Sequence, residues 1–169
     1  YVGFAQHVQW GFWSTPPLLG VIAWLLAAVT DLSFHAIRFV PAAFGAAVLF
    51  LTGRMAQRMG GGTWAVLLAA AGIALSPAYL RSADLFQPVI IDILFWTLVL
   101  SILVDYLSSD GKPVPWLALG LAIGVGLLNK YSIGVLVIAL FVGLVFTRHR
   151  SLLGRRSFWM SVGLALLIW

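Results

Sequence analysis

Pro88-Val89-Ile90-Ile91-Asp92-Ile93-Leu94-Phe95-Trp96 opens an apolar run that continues without a basic residue to Leu107. About 20 such residues are what a helix needs to cross a hydrocarbon core near 30 Å thick. The run also carries an acid, Asp92, about one turn inside its start. A lone acid in a span is costly in lipid, so it faces the helix bundle and finds a partner. This stretch sets the fold class: all-α, a polytopic helical membrane protein.

Composition agrees. The chain is 62% hydrophobic and 9% charged, where soluble domains run near a quarter charged, and its mean hydropathy is +1.05. A net charge of +5 would suit nucleic acid, but the basic residues lie scattered between apolar spans and act as topology signals. No nucleic-acid partner is expected, and membrane lipids are. Without cysteine there is no disulfide framework, thiolate metal site or cysteine nucleophile.

Working outward from 88–107, further apolar runs fall at 36–53, 63–79, 115–128 and 131–146, giving five predicted spans. The run at 157–169 is shorter than a span and reads as a truncated sixth. A single helix over 116–146 would be about 46 Å long, so a hairpin turning at Asn129-Lys130 is predicted instead. Residues 1–35 form a predicted outer juxtamembrane, amphipathic segment. Within it, Trp10-Gly11-Phe12-Trp13-Ser14-Thr15-Pro16-Pro17 excludes helix up to about Pro17, because each proline restricts the residue before it. The whole of 1–169 is expected to be part of one transmembrane domain, an internal piece of a longer protein.

Charge then assigns sides. Arg54, Arg58, Lys112, Arg148, Arg150, Arg155 and Arg156 fall on one side, and Arg38, Arg81 and Lys130 on the other. The positive-inside rule places the first group in the cytoplasm. Most of the remaining polar chemistry (His7, Gln9, Asp31, His35, Asp84, Gln87, Asp92, Asn129) then gathers on the extracytoplasmic side, where a site is expected.

Six motifs now stand in order: the aromatic segment ending Pro16-Pro17-Leu18, Ala36-Ile37-Arg38-Phe39-Val40-Pro41-Ala42, Ala74-Leu75-Ser76-Pro77, Leu85-Phe86-Gln87-Pro88, Asp92-Ile93-Leu94-Phe95-Trp96 and Gly126-Leu127-Leu128-Asn129-Lys130-Tyr131. Together they resemble the bacterial membrane glycosyltransferases of the GT-C class, similar to protein O-mannosyltransferases and the lipid A aminoarabinose transferase. The resemblance implies an inner-membrane enzyme with a polyprenyl-phosphate-linked sugar as donor. It also implies inverting hexosyl or pentosyl transfer to an extracytoplasmic protein, lipid or glycan hydroxyl, with a divalent metal ion as a candidate cofactor. The family's catalytic acid sits just before a segment resembling Tyr1-Val2-Gly3-Phe4, so it is expected upstream of residue 1, with the first helix and the outer loop. The C-terminal part is likewise expected beyond residue 169. Relatives often carry an Asp-His or Asp-Lys pair before the double proline, where this chain has Ser14-Thr15.

Lys130 is the leading candidate to bind the donor phosphate: an ammonium offers a point charge and three donors at a costly membrane position. The bland alternative is a lysine snorkelling to the interface. Arg81 is a second phosphate candidate, and Asp84 a sugar or metal ligand, in a predicted outer loop at 79–87. The competing reading of that loop is a weak surface ion pair. Asp92 either binds substrate or pairs with Arg38 or Lys130. His7, Trp10 and Trp13 are substrate-binding candidates, against an ordinary aromatic belt. Gly60-Gly61-Gly62 reads as a turn, and Gly120, Gly124, Gly126, Gly134 and Gly143 as sites of close helix packing. A secondary transporter and a non-catalytic membrane subunit are the rival functions; no internal repeat of the transporter kind is visible.

Overall fold

The computed structural model describes Gly3 and residues 16–108 and 115–169, and those residues are mostly helical, without strands. The order is α1 (Leu18–Thr30), α2 (Phe34–Arg58), α3 (Thr63–Ala74), α4 (Pro77–Asp84), α5 (Pro88–Leu107), α6 (Trp116–Leu127) and α7 (Ile133–Val145), then a 3-10 helix (Arg148–Gly154) and α8 (Arg156–Ile168).

Prolines and small polar residues set the boundaries. Pro77 and Pro88 open α4 and α5, where a missing N–H is harmless. Ser33 caps α2 through the Ala36 amide. Gly60, at φ 91°, turns the chain between α2 and α3, as the glycine triplet suggested.

Two helices, α2 and α5, are long and apolar enough to cross a membrane, and α3 with α4 makes a third candidate bent by 69°. That bend corrects the single predicted span at 63–79. Pro77 bars helical geometry at Ser76, whose ψ of 119° is extended, so the run breaks there. The predicted hairpin forms as α6 and α7, 12 and 13 residues long, and the run at 157–169 forms α8, also 13 residues. Large apolar side chains such as Trp64, Val29 and Phe146 stay exposed, as a lipid-facing surface requires.

Helix α5 is the central pillar. Near its start Ile90 and Ile91 bury against Leu19 of α1, Val48 of α2 and Tyr79 of α4. Further along, Val99 buries against Leu119 and Ala122 of α6 and Ile133 and Leu136 of α7. Helix α8 packs on α6 across glycines: a Cβ at Gly120 would sit 2.7 Å from the Ser161 carbonyl oxygen, and one at Gly124 would sit 3.1 Å from the Ala165 Cα. Gly126 lets α6 meet α5 and α7, since a Cβ there would come within 2.5 Å of Ile133 Cδ1 and 3.2 Å of Phe95 Cβ. Gly134 and Gly143 were expected to serve the same purpose, but neither has a neighbour within 4 Å of an added Cβ.

The charges sort to two ends of this bundle. Arg38 meets Asp84 at the start of α2, and Lys130 meets Asp92 near the start of α5. Arg54 and Arg58 meet Asp105 at the far ends of the same two helices. His149 of the 3-10 helix lies edge-on to Tyr106 of α5, which puts that turn at the Arg54 end as well.

Candidate functional site

The polar site at the first end is built on the α6–α7 turn. Leu128, Asn129, Lys130, Tyr131 and Ser132 connect the two helices. Asn129 is 1% exposed, and its side-chain amide donates to the Pro88 carbonyl at 3.0 Å, stapling the turn to the first residue of α5. Its Oδ1 is buried without a hydrogen-bond partner among the described residues. The Leu128 carbonyl accepts from the Leu18 amide at 2.9 Å, so α1 enters the bundle against the same turn. Pro16 and Pro17, buried, precede that contact. Lacking N–H groups of their own, they leave Leu18 to supply the first donor of the helix.

This staple brings Asp92 and Lys130 together. Lys130 Nζ lies 3.7 Å from Asp92 Oδ2, and the Ser132 hydroxyl donates to Asp92 Oδ1 at 2.6 Å. The carboxylate is only 13% exposed, whereas the lysine side chain is 47% exposed. One oxygen of the acid accepts a hydrogen bond and the other faces the ammonium at ion-pair distance, so the ammonium keeps its donors for another anion. Of the two partners open to Asp92, Arg38 and Lys130, the fold selects Lys130.

Arg81 and Asp84 lie elsewhere than expected. They belong to α4, not to an open loop, and they do not pair with each other. Asp84 receives Arg38 Nη1 at 2.8 Å, with both side chains about half exposed. Arg38 also stacks its guanidinium over Phe34 at 4.7 Å. The placement of α4 follows from the Tyr79 hydroxyl, which donates to the Gly45 carbonyl inside the bundle. Arg81 is exposed at the end of α4 and makes no ion pair among the described residues. His7, Trp10 and Trp13 lie outside the described residues.

Ser132 was missed as a site residue, and Asn129 was counted in the outer polar group but given no role. A hydroxyl two residues after Lys130 and an amide one before it were the available signals, in a turn otherwise flanked by apolar helices. Among the described residues no three His, Asp or Glu side chains converge as metal ligands. Asp84 and Asp92 each face a cation instead.

A mostly buried carboxylate facing an accessible ammonium makes an anion-binding corner: it can hold one phosphate oxygen and balance charge that gathers there. No curated protein and no solved structure matches the chain. The family model for dolichyl-phosphate-mannose-protein mannosyltransferases does match, over residues 14–169. That match takes in the double proline, the ion pairs and the hairpin together, and the chain belongs to this mannosyltransferase family of membrane glycosyltransferases.

Proposed function

We propose that this protein moves a sugar from a polyprenyl-phosphate carrier to a hydroxyl of an extracytoplasmic protein, lipid or glycan, in a multi-pass enzyme of the bacterial inner membrane. The Asp92–Lys130–Ser132 corner carries the reading, because it presents an accessible cation beside a mostly buried acid. In the reaction the acceptor oxygen attacks the anomeric carbon, the bond from that carbon to the phosphate oxygen breaks, and polyprenyl phosphate leaves. The departing phosphate gains negative charge, and Lys130 is placed to offset it. Asp92 holds Lys130 in place and keeps Ser132 turned toward the same point. The acceptor proton needs a base. Asp92 accepts from Ser132 and balances the charge of Lys130, and that role falls to the acid expected upstream of residue 1.

The test is sugar transfer by the intact protein in liposomes, offered a panel of polyprenyl-phosphate sugars and, separately, nucleotide sugars. Transfer from a polyprenyl-phosphate donor is expected. Transfer from nucleotide sugars alone, or from no donor, would overturn the reading.

A further inference from the structure

The bundle end away from Lys130 carries a groove that the transfer reaction does not use. It encloses about 740 Å³ between α2 and α3 and reaches the end of α5 at Ser108. Its mouth is polar, with Arg54, Gln57 and Arg58 on α2 and Ser108 opposite. One turn to two turns deeper the lining becomes apolar, with Leu49 and Phe50 on α2 facing Val66 on α3. At 1.5 Å per residue, Phe50 lies about 6 Å further along the helix axis than Arg54. Gly53 brings the two helices close beneath the mouth, since a Cβ there would meet Val66 Cγ1 at 3.2 Å.

The charges in the mouth do not cancel. Arg54 and Arg58 share one carboxylate, that of Asp105, which leaves one positive charge among these three groups. The guanidinium side chains remain 41% and 52% exposed, and the carboxylate is 29% exposed. A guanidinium has five N–H donors, so one contact each to Asp105 leaves most of them free for an anion. Arg54 meets one oxygen of Asp105 and Arg58 the other, so the same carboxylate gathers both arginines at the mouth.

We propose that this groove binds the phosphate of an anionic phospholipid, with the acyl chain lying along Leu49, Phe50 and Val66. Charge complementarity selects an anionic headgroup, and the polar-to-apolar gradient selects a lipid over a free anion. The groove stands at the other end of α2 and α5 from the Asp92–Lys130 corner, so the proposal is independent of the sugar donor.

The experiment measures lipids retained by the intact protein after purification with an equal mixture of phosphatidylglycerol and phosphatidylcholine, read by native mass spectrometry with a melting curve alongside. Wild type should retain phosphatidylglycerol preferentially and be stabilised by it. The Arg54→Gln, Arg58→Gln double variant should lose that preference by roughly tenfold or more. The Arg54→Lys, Arg58→Lys variant should keep most of it, and Asp105→Asn should retain at least as much anionic lipid as wild type. Equal retention of the two lipids by wild type would overturn the proposal, as would an unchanged preference in the double glutamine variant. Stabilisation by inorganic phosphate equal to that by phosphatidylglycerol would also overturn it, since the acyl chain would then contribute nothing. If the double glutamine variant does not fold, the lysine and Asp105→Asn variants decide: loss of preference in both would contradict the account.

Discussion

Asp84 and Asp92 stand eight residues apart on either side of the Pro88 helix start, and each meets a cation, yet the two pairs differ in kind. Asp84 and Arg38 bridge α4 and α2 with both side chains about half exposed. Asp92 is mostly buried, takes a hydroxyl on one oxygen and faces Lys130 with the other, and its partners sit on a turn stapled by Asn129. Water competes for an exposed pair and leaves it worth about 0–1 kcal/mol. A mostly buried acid with one hydrogen-bond donor and one cation beside it depends on both, and both depend on the turn. Proximity of opposite charges is common to the two; enclosure on one side and access on the other belongs only to the second.

Damage to the turn should separate the pairs most strongly. Gly126→Leu places atoms where Ile133 and Phe95 already pack. It is expected to destabilise the protein by about 1–3 kcal/mol and to reduce sugar transfer, read by thermal melting and by transfer rate. Asn129→Leu removes the donor to the Pro88 carbonyl. The expected cost is about 1–2 kcal/mol, with transfer falling further than stability alone explains. Asp92→Ala leaves Lys130 and Ser132 without their acceptor. Since Lys130 is nearly half exposed, solvent limits the stability cost to about 1–2 kcal/mol, but transfer should drop at least about tenfold as the ammonium loses its position. Asp84→Asn is the small member of the series: under about 1 kcal/mol, and transfer within about twofold of wild type. A reversed order between Asp92→Ala and Asp84→Asn would break the distinction.

Much of this was legible in the chain. Hydropathy and length gave the all-helical membrane fold, and the costly acid within the run at 88–107 announced a partnered Asp92. The hairpin at Asn129-Lys130 followed from the excess length of 116–146, and the division of basic residues anticipated the two charged ends. Ser76-Pro77 also carried its message, because proline restricts its predecessor, but mean hydropathy smooths over a single break. Other features had no local signal. Arg38 and Asp84 are 46 positions apart, and only the docking of Tyr79 on Gly45 brings them together. The contact of Leu18 with Leu128 joins residues 110 positions apart through backbone atoms, which no side-chain pattern encodes. The five glycines of the hairpin looked alike in sequence, yet of these only Gly120, Gly124 and Gly126 face a neighbouring helix closely, because α7 turns Gly134 and Gly143 toward open space.

The central claim is that Lys130, held by Asp92, receives the donor phosphate. It is tested most directly by the rate of sugar transfer from a polyprenyl-phosphate donor for Lys130→Ala beside Arg38→Ala, in the same liposomes and at matched folded protein. The account predicts a loss of about 10²-fold for Lys130→Ala, the size of removing one preorganised charge donor from a transition state, and a near-wild-type rate for Arg38→Ala. Equal rates for the two variants would contradict it.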